Sequence, residues 1–91
     1  MWMVIGEQGD TPTDPAARAA QFAHMAEVTR RSPGFVRGWW GADDDEPHLS
    51  HTLVVLDTLE HARAFRRTVE ENVTGARVRI MEIGVEAEGV A

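Results

Sequence analysis

The segment from Ser32 to Trp40 constrains the fold more than any other part of this 91-residue chain. Pro33 and Gly34 are both helix breakers, and they follow an alanine-rich stretch with helical periodicity. The next residues, 35–40, read Phe-Val-Arg-Gly-Trp-Trp, an aromatic-rich run that favours a pleated, half-buried strand. The junction therefore predicts a helix followed at once by a strand, in a small α+β fold whose aromatic side chains line either a ligand cleft or a subunit interface.

The rest of the chain supplies the other elements of such a fold. Asp14 and Pro15 are a start signal for the first helix, because Asp can cap free amides and Pro fits the first helical position. Asp57, with Glu60 three residues later, resembles a capping box at the start of a second helix that ends near Gly75. Strands are predicted at residues 2–7, 35–40, 49–56 and 77–85, with the helices at 15–31 and 59–73. The order strand, helix, strand, strand, helix, strand is the ferredoxin-like βαββαβ pattern.

This pattern predicts a single α+β domain over residues 1–91, with a four-stranded antiparallel sheet and both helices on one face. The strands are apolar on both faces, since Trp2 and Val4 alternate with Met3 and Ile5. A sheet that is apolar on both sides needs a second cover, and another copy of the chain is the simplest one. We therefore predict a homodimer in which two sheets pack face to face.

Composition excludes several function classes. A formal net charge of -6 argues against a nucleic-acid partner. No apolar run approaches the roughly 20 residues of a membrane span and no signal peptide is visible, so we predict a cytoplasmic protein without a membrane partner. The chain has no Cys, no Tyr and no Lys, which removes thiolate chemistry, a Tyr proton donor and a Schiff base. His24 with Glu27, and His48 with His51, do not complete a ligand set, and we predict neither a metal nor a cofactor.

Two stretches carry a resemblance to a known family. They are Pro33-Gly34-Phe35 at the entry to the second strand, and Leu-Val-Val-Leu-Asp-Thr-Leu-Glu-His-Ala at residues 53–62. With the element order, they resemble the dimeric α+β barrel superfamily, in particular its small antibiotic-biosynthesis-monooxygenase-like domains, over nearly the whole chain. The resemblance implies that the ferredoxin-like domain pairs as a dimeric α/β barrel. It also implies a cofactor-independent monooxygenase or isomerase acting on a small aromatic or polyketide-like molecule.

The candidate site residues lie on the second and third strands. Alternation places Phe35, Arg37 and Trp39 on one side of the second strand, a combination that suits a planar, anionic ligand. Trp39 and Trp40 are adjacent and therefore point to opposite faces. We predict that Phe35, Trp39 and Trp40 bind the ligand, and that Arg37 holds an anionic or enolate oxygen. His51 is the predicted acid or base, because imidazole titrates near neutral pH.

Two other interpretations stay open. The aromatic side chains can instead build the dimer interface, with Arg37 paired to a carboxylate. The chain is then a non-catalytic small-molecule-binding or dimerisation domain. A third interpretation is haem binding through His24 or His61.

Overall fold

The computed structural model describes residues 1–90, and Ala91, the last residue of the predicted domain, lies outside the described residues. The elements are β1 (Trp2–Gln8), α1 (Pro15–Thr29), β2 (Phe35–Ala42), β3 (Ser50–Leu56), α2 (Leu59–Asn72) and β4 (Arg77–Glu82). The strands form one four-stranded antiparallel sheet in the order β2-β3-β1-β4, with the two helices on one face. The predicted ferredoxin-like βαββαβ fold is confirmed.

Local signals explain where both helices begin. Asp14 caps α1 as predicted, since its Oδ2 accepts a hydrogen bond from the backbone N–H of Ala17 at 2.9 Å. The prediction that Asp57 caps α2 is wrong. Thr58 occupies the cap, and its Oγ1 accepts from the backbone N–H of His61 at 3.1 Å. The Asp57 carboxylate instead accepts a hydrogen bond from the ring of His61.

The two helices are anchored very differently. α2 packs on the sheet through Ala62 and Phe65, which join the buried core. The sheet residues of that core are Val4, Val54 and Leu56. α1 buries a single residue, Thr29, and approaches β2 alone among the elements of residues 1–90. The helical stripe expected along α1 is therefore largely uncovered. No helix in the described part of the chain is long and apolar enough to cross a bilayer.

One face of the sheet is covered by the helices (the helix face) and the other is not (the open face). A bulge in β2 decides which residues of that strand lie on each face. Val4 pairs with Val54, and both face the helices, whereas Met3 and Val55 pair on the open face. Between Phe35 and Arg37 the pairing with β3 shifts by one residue. Such a bulge reverses the alternation of side chains that follow it. The faces of β2 therefore cannot be assigned by counting in steps of two.

Candidate functional site

A hollow lies between the helices and the sheet. No Cα atom of α1 lies within 8 Å of one in α2, although both helices are fully described. This separation leaves a cleft of about 560 Å³, which falls in the size range of small-molecule sites. Val4 and Trp40 form part of its floor, Met25 and Val28 of α1 form one wall, and Phe65 of α2 belongs to the other. The cleft can hold a molecule of two or three fused rings.

Trp40 forms the aromatic part of this floor. It packs against the buried core with one part of its ring and lines the cleft with another. Gly38, two residues earlier on the same face, makes room for it, because a Cβ at this position would lie 2.8 Å from Cη2 of Trp40. The indole thus lies over the backbone of its own strand, where a planar ligand can stack on it.

Both helices contribute polar groups to the cleft, and Gln8, Ser32 and Thr52 line it as well. Nδ2 of Asn72 donates to the backbone carbonyl of Thr68 at 2.7 Å, and the Thr68 hydroxyl donates to the carbonyl of Ala64 at 3.2 Å. The sequence did not single out Asn72, and His24 was predicted only as a member of an incomplete pair with Glu27 and as a candidate haem ligand. His24 of α1 is exposed and also lines the cleft. The four-residue spacing of Thr68 and Asn72 on α2 placed them on one face, but no sequence signal indicated that α1 faces them.

Arg37 and Trp39 lie on the other side of the sheet. Together with Val36, Met81 and the segment at residues 83–86, they line a shallow hollow of about 370 Å³ on the open face. Trp39 is 49% exposed and Met81 is 44% exposed. Nη1 of Arg37 lies 3.9 Å from Oε1 of Glu86, and both side chains are mostly exposed. Such an exposed pair contributes little, so Arg37 remains available to another partner.

His51 also lies on the open face, at the far end of β3. Its Nε2 donates to Oδ2 of Asp43 at 2.7 Å. Asp43 Oδ1 accepts from the backbone N–H groups of Asp45 and Glu46, both at 2.9 Å. The hydrogen bond from His51, followed by those from the backbone, holds the pKa of Asp43 below its ordinary value. The hydrogen bond between His51 and Asp43 fixes the orientation of the imidazole and stabilises the β2–β3 hairpin.

The five predicted site residues therefore do not converge. Phe35 and Trp40 lie on the helix face, and Arg37, Trp39 and His51 lie on the open face. The expectation that Phe35 shares a face with Arg37 and Trp39 is wrong, because the bulge after Phe35 reverses the alternation. The sheet separates the two groups, so one bound molecule cannot touch both.

A second histidine–carboxylate pair lies outside the cleft. Nδ1 of His61 donates to Oδ1 of Asp57 at 2.6 Å, directly over Gly34. This hydrogen bond holds the pKa of Asp57 below its ordinary value. Within residues 1–90, no group of three or more His, Asp or Glu side chains is placed to hold a metal ion. Haem ligation by His24 or His61 stays a prediction, and for His61 it must use Nε2, because Nδ1 is engaged.

Comparison with known proteins supports the fold through structure alone. The sequence matches no family model and no curated protein. Among solved structures, it is similar to a protein from Deinococcus radiodurans that carries the provisional name of an antibiotic biosynthesis monooxygenase. The two chains share 17% identity and a TM-score of 0.70, and the match covers 100% of each.

Two further structures show the same likeness. SnoaB, a cofactor-independent oxygenase from Streptomyces nogalater, matches with 17% identity and a TM-score of 0.61 over 93% of this chain and 95% of its own. Rv0793 from Mycobacterium tuberculosis matches with 18% identity and a TM-score of 0.62 over 96% and 98% of the two chains. The chain thus has the same βαββαβ fold as the antibiotic biosynthesis monooxygenase structures.

Proposed function

We propose that this chain, built on the fold of the antibiotic biosynthesis monooxygenases, binds a small aromatic or polyketide-like molecule between its helices and sheet. We further propose that it oxygenates or isomerises this molecule without a cofactor. The cleft of about 560 Å³ carries the proposal, since its walls are mostly apolar and Trp40 offers a stacking surface. One structural neighbour, SnoaB, is a cofactor-independent oxygenase. A cytoplasmic location stays a prediction from the sequence.

Both reactions make modest demands on the protein. In a cofactor-free oxygenation, dioxygen is the oxidant: a methylene of the substrate becomes a carbonyl, and the second oxygen atom leaves as water. The substrate supplies all four electrons, so the protein must bind it, exclude water and move protons. An isomerisation needs proton transfer alone. In the cleft, Trp40 would stack the substrate and His24 would carry the proton.

The roles predicted for Arg37 and His51 must be tested separately from the cleft. Both side chains lie on the open face, so their replacement should leave binding in the cleft unchanged. If they act on a substrate, that substrate binds against Trp39 instead. Arg37→Gln and His51→Gln are therefore matched controls for the variants of the cleft.

The proposal is tested by ligand binding and oxygen uptake. A panel of reduced polycyclic phenols is titrated by isothermal calorimetry, and oxygen consumption is followed with an electrode. Trp40→Ala should weaken binding at least tenfold, whereas Trp39→Ala should not. Binding without turnover would favour the alternative of a non-catalytic binding domain. If no member of the panel binds, or if Trp39→Ala alone weakens binding, the cleft is not the site.

We also propose that a second copy of the chain covers the open face. This face exposes Trp39, Met81 and Val36 next to one another, an apolar patch that a monomer would leave in water. Sedimentation velocity should show a dimer for the wild type and a monomer for Trp39→Arg. Val28→Arg is the control, because Val28 is at least as exposed as Trp39 but lies on α1. A wild-type monomer, or a dimeric Trp39→Arg variant, would contradict the proposed interface.

A further inference from the structure

α1 is supported along one side only. Among the elements of residues 1–90 it contacts β2 alone, which is an edge strand of the sheet. Phe22 and Ala26 of α1 are half-buried, and they lie at helical spacing before Thr29, the buried residue of this helix. No Cα atom of α1 lies within 8 Å of one in α2. The helix therefore rests on β2, and the side that faces the cleft has no support.

Both ends of α1 are tied to the rest of the molecule. Before the helix, the backbone N–H of Thr11 donates to the carbonyl of His48 at 2.8 Å, and Thr11 is 3% exposed. After the helix, the backbone N–H of Asp57 donates to the carbonyl of Gly34 at 3.0 Å. These two hydrogen bonds fix the segments that lead into and out of α1. The helix between them can tilt about its contact with β2 while both bonds stay in place.

Two apolar walls face each other across the cleft. Met25 and Val28 belong to the α1 wall, and Phe65 and Val69 to the α2 wall. Val28 is 56% exposed although it lines the cleft. Contact between such walls is favourable because it removes apolar surface from water. Since Ala62 and Phe65 hold α2 in the core, only a movement of α1 can bring the walls together.

We propose that α1 is a lid that closes over the cleft. In the closed arrangement, α1 tilts on β2 until Met25 and Val28 approach Val69 of α2. The opening of the lid admits a ligand, and its closure shields the ligand from water. This inference rests on the proposed function in one respect, since the space that the lid covers is the proposed ligand site.

Disulfide trapping tests the lid, because the chain has no Cys of its own. The double variants Met25→Cys/Val69→Cys and Val28→Cys/Val69→Cys are incubated with oxidised glutathione. A disulfide needs Cα atoms about 4.4–6.8 Å apart, whereas every Cα atom of α1 lies more than 8 Å from those of α2. Only closure can therefore join either pair within one chain.

A matched control separates closure from general mobility. In Glu27→Cys/Val69→Cys, the first cysteine replaces an exposed side chain of α1 that does not line the cleft. We expect at least one of the two cleft pairs to form an intramolecular disulfide about tenfold faster than this control. Circular dichroism of the reduced variants checks their folding, and the use of two cleft pairs keeps the test valid if one substitution impairs it.

A second measurement asks whether the trapped state is closed. A soluble gadolinium chelate broadens the NMR signals of indole N–H groups that it can approach. Trp40 lines the cleft, so the disulfide should protect its signal from broadening and reduction should remove that protection. Trp39 lies on the open face and should be broadened equally in both states.

The outcomes separate the lid from the proposed function. If neither cleft pair is trapped faster than the control, α1 is a fixed wall and the lid is rejected. If a pair is trapped but Trp40 stays as accessible as before, the movement does not close the cleft and the lid is likewise rejected. Neither measurement uses a ligand, so these failures leave the proposed ligand site standing. Conversely, a failure of the phenol panel to bind leaves the lid standing.

Discussion

Gly34 is the position where a single methyl group should have the most informative effect. Its φ of +79° lies in the left-handed region, and a Cβ there would run into the hydrogen-bonded pair of Asp57 and His61, 2.8 Å from Cγ of His61. Gly75 has nearly the same φ, +76°, but nothing within 4 Å of its Cβ position. The two glycines therefore separate backbone strain from steric conflict.

The expected magnitudes differ accordingly. A left-handed conformation costs an L-residue about 1–2 kcal/mol, so Gly75→Ala should lower the free energy of unfolding by about that amount. Gly34→Ala adds a packing conflict of about 1–3 kcal/mol, for a total of about 2–5 kcal/mol. Urea unfolding is followed by tryptophan fluorescence at one protein concentration, since the stability of a dimer depends on concentration.

A double variant tests the origin of the difference. In the His61→Ala background, two of the three closest contacts of the added methyl group are gone, so Gly34→Ala should destabilise the protein less than it does in the wild type. If Gly34→Ala and Gly75→Ala lower the free energy of unfolding equally, the close approach of Gly34 to the pair is refuted. If the effects of Gly34→Ala and His61→Ala on the free energy of unfolding simply add in the double variant, the role of His61 is refuted.

Three further predictions follow from burial, charge and the anchoring of the helices. Leu56 is fully buried, so Leu56→Ala should lower the free energy of unfolding by about 2–5 kcal/mol, as measured by urea unfolding. Val85 is 89% exposed, so Val85→Ala should change the same quantity by less than about 0.5 kcal/mol. The folded-state pKa of Asp57 lies below its ordinary value of 3.8, so its stabilising effect is present above that pH and is lost as the pH falls through the lowered pKa. Asp57→Asn should therefore be less stable than the wild type at pH 6, and the difference in free energy of unfolding should become smaller below pH 3.8. Urea unfolding across this pH range measures the difference, and a constant difference would contradict the pairing of Asp57 with His61. Because α1 buries one residue and α2 is held by the core, amide hydrogen exchange should be faster in α1 than in α2, and equal protection would show that α1 is anchored more firmly than its contacts indicate.

The order of the elements could be predicted because its signals are local. Pro33 and Gly34 end a helix wherever they occur after one, and the cap at Asp14 acts through the N–H of Ala17, three residues away. Alternation along β1 was likewise visible within a few residues. The prediction was wrong where two neighbouring residues both suit the same cap. Asp57 and Thr58 can each cap a helix, but Thr58 caps α2 and the Asp57 carboxylate accepts a hydrogen bond from His61 instead.

Which residues share a surface was decided only by the tertiary structure. The bulge after Phe35 arises from the pairing of β2 with β3, so the sequence of β2 alone could not show that Phe35 and Trp39 lie on opposite faces. The cleft depends on the distance between two helices that are far apart in the sequence. His24 and Asn72 line one cavity because α1, among the elements of residues 1–90, contacts β2 alone while α2 packs on the core. Local chemistry thus determined the elements, and long-range packing determined the site, because the faces that helices and strands bury depend on partners that no local pattern specifies.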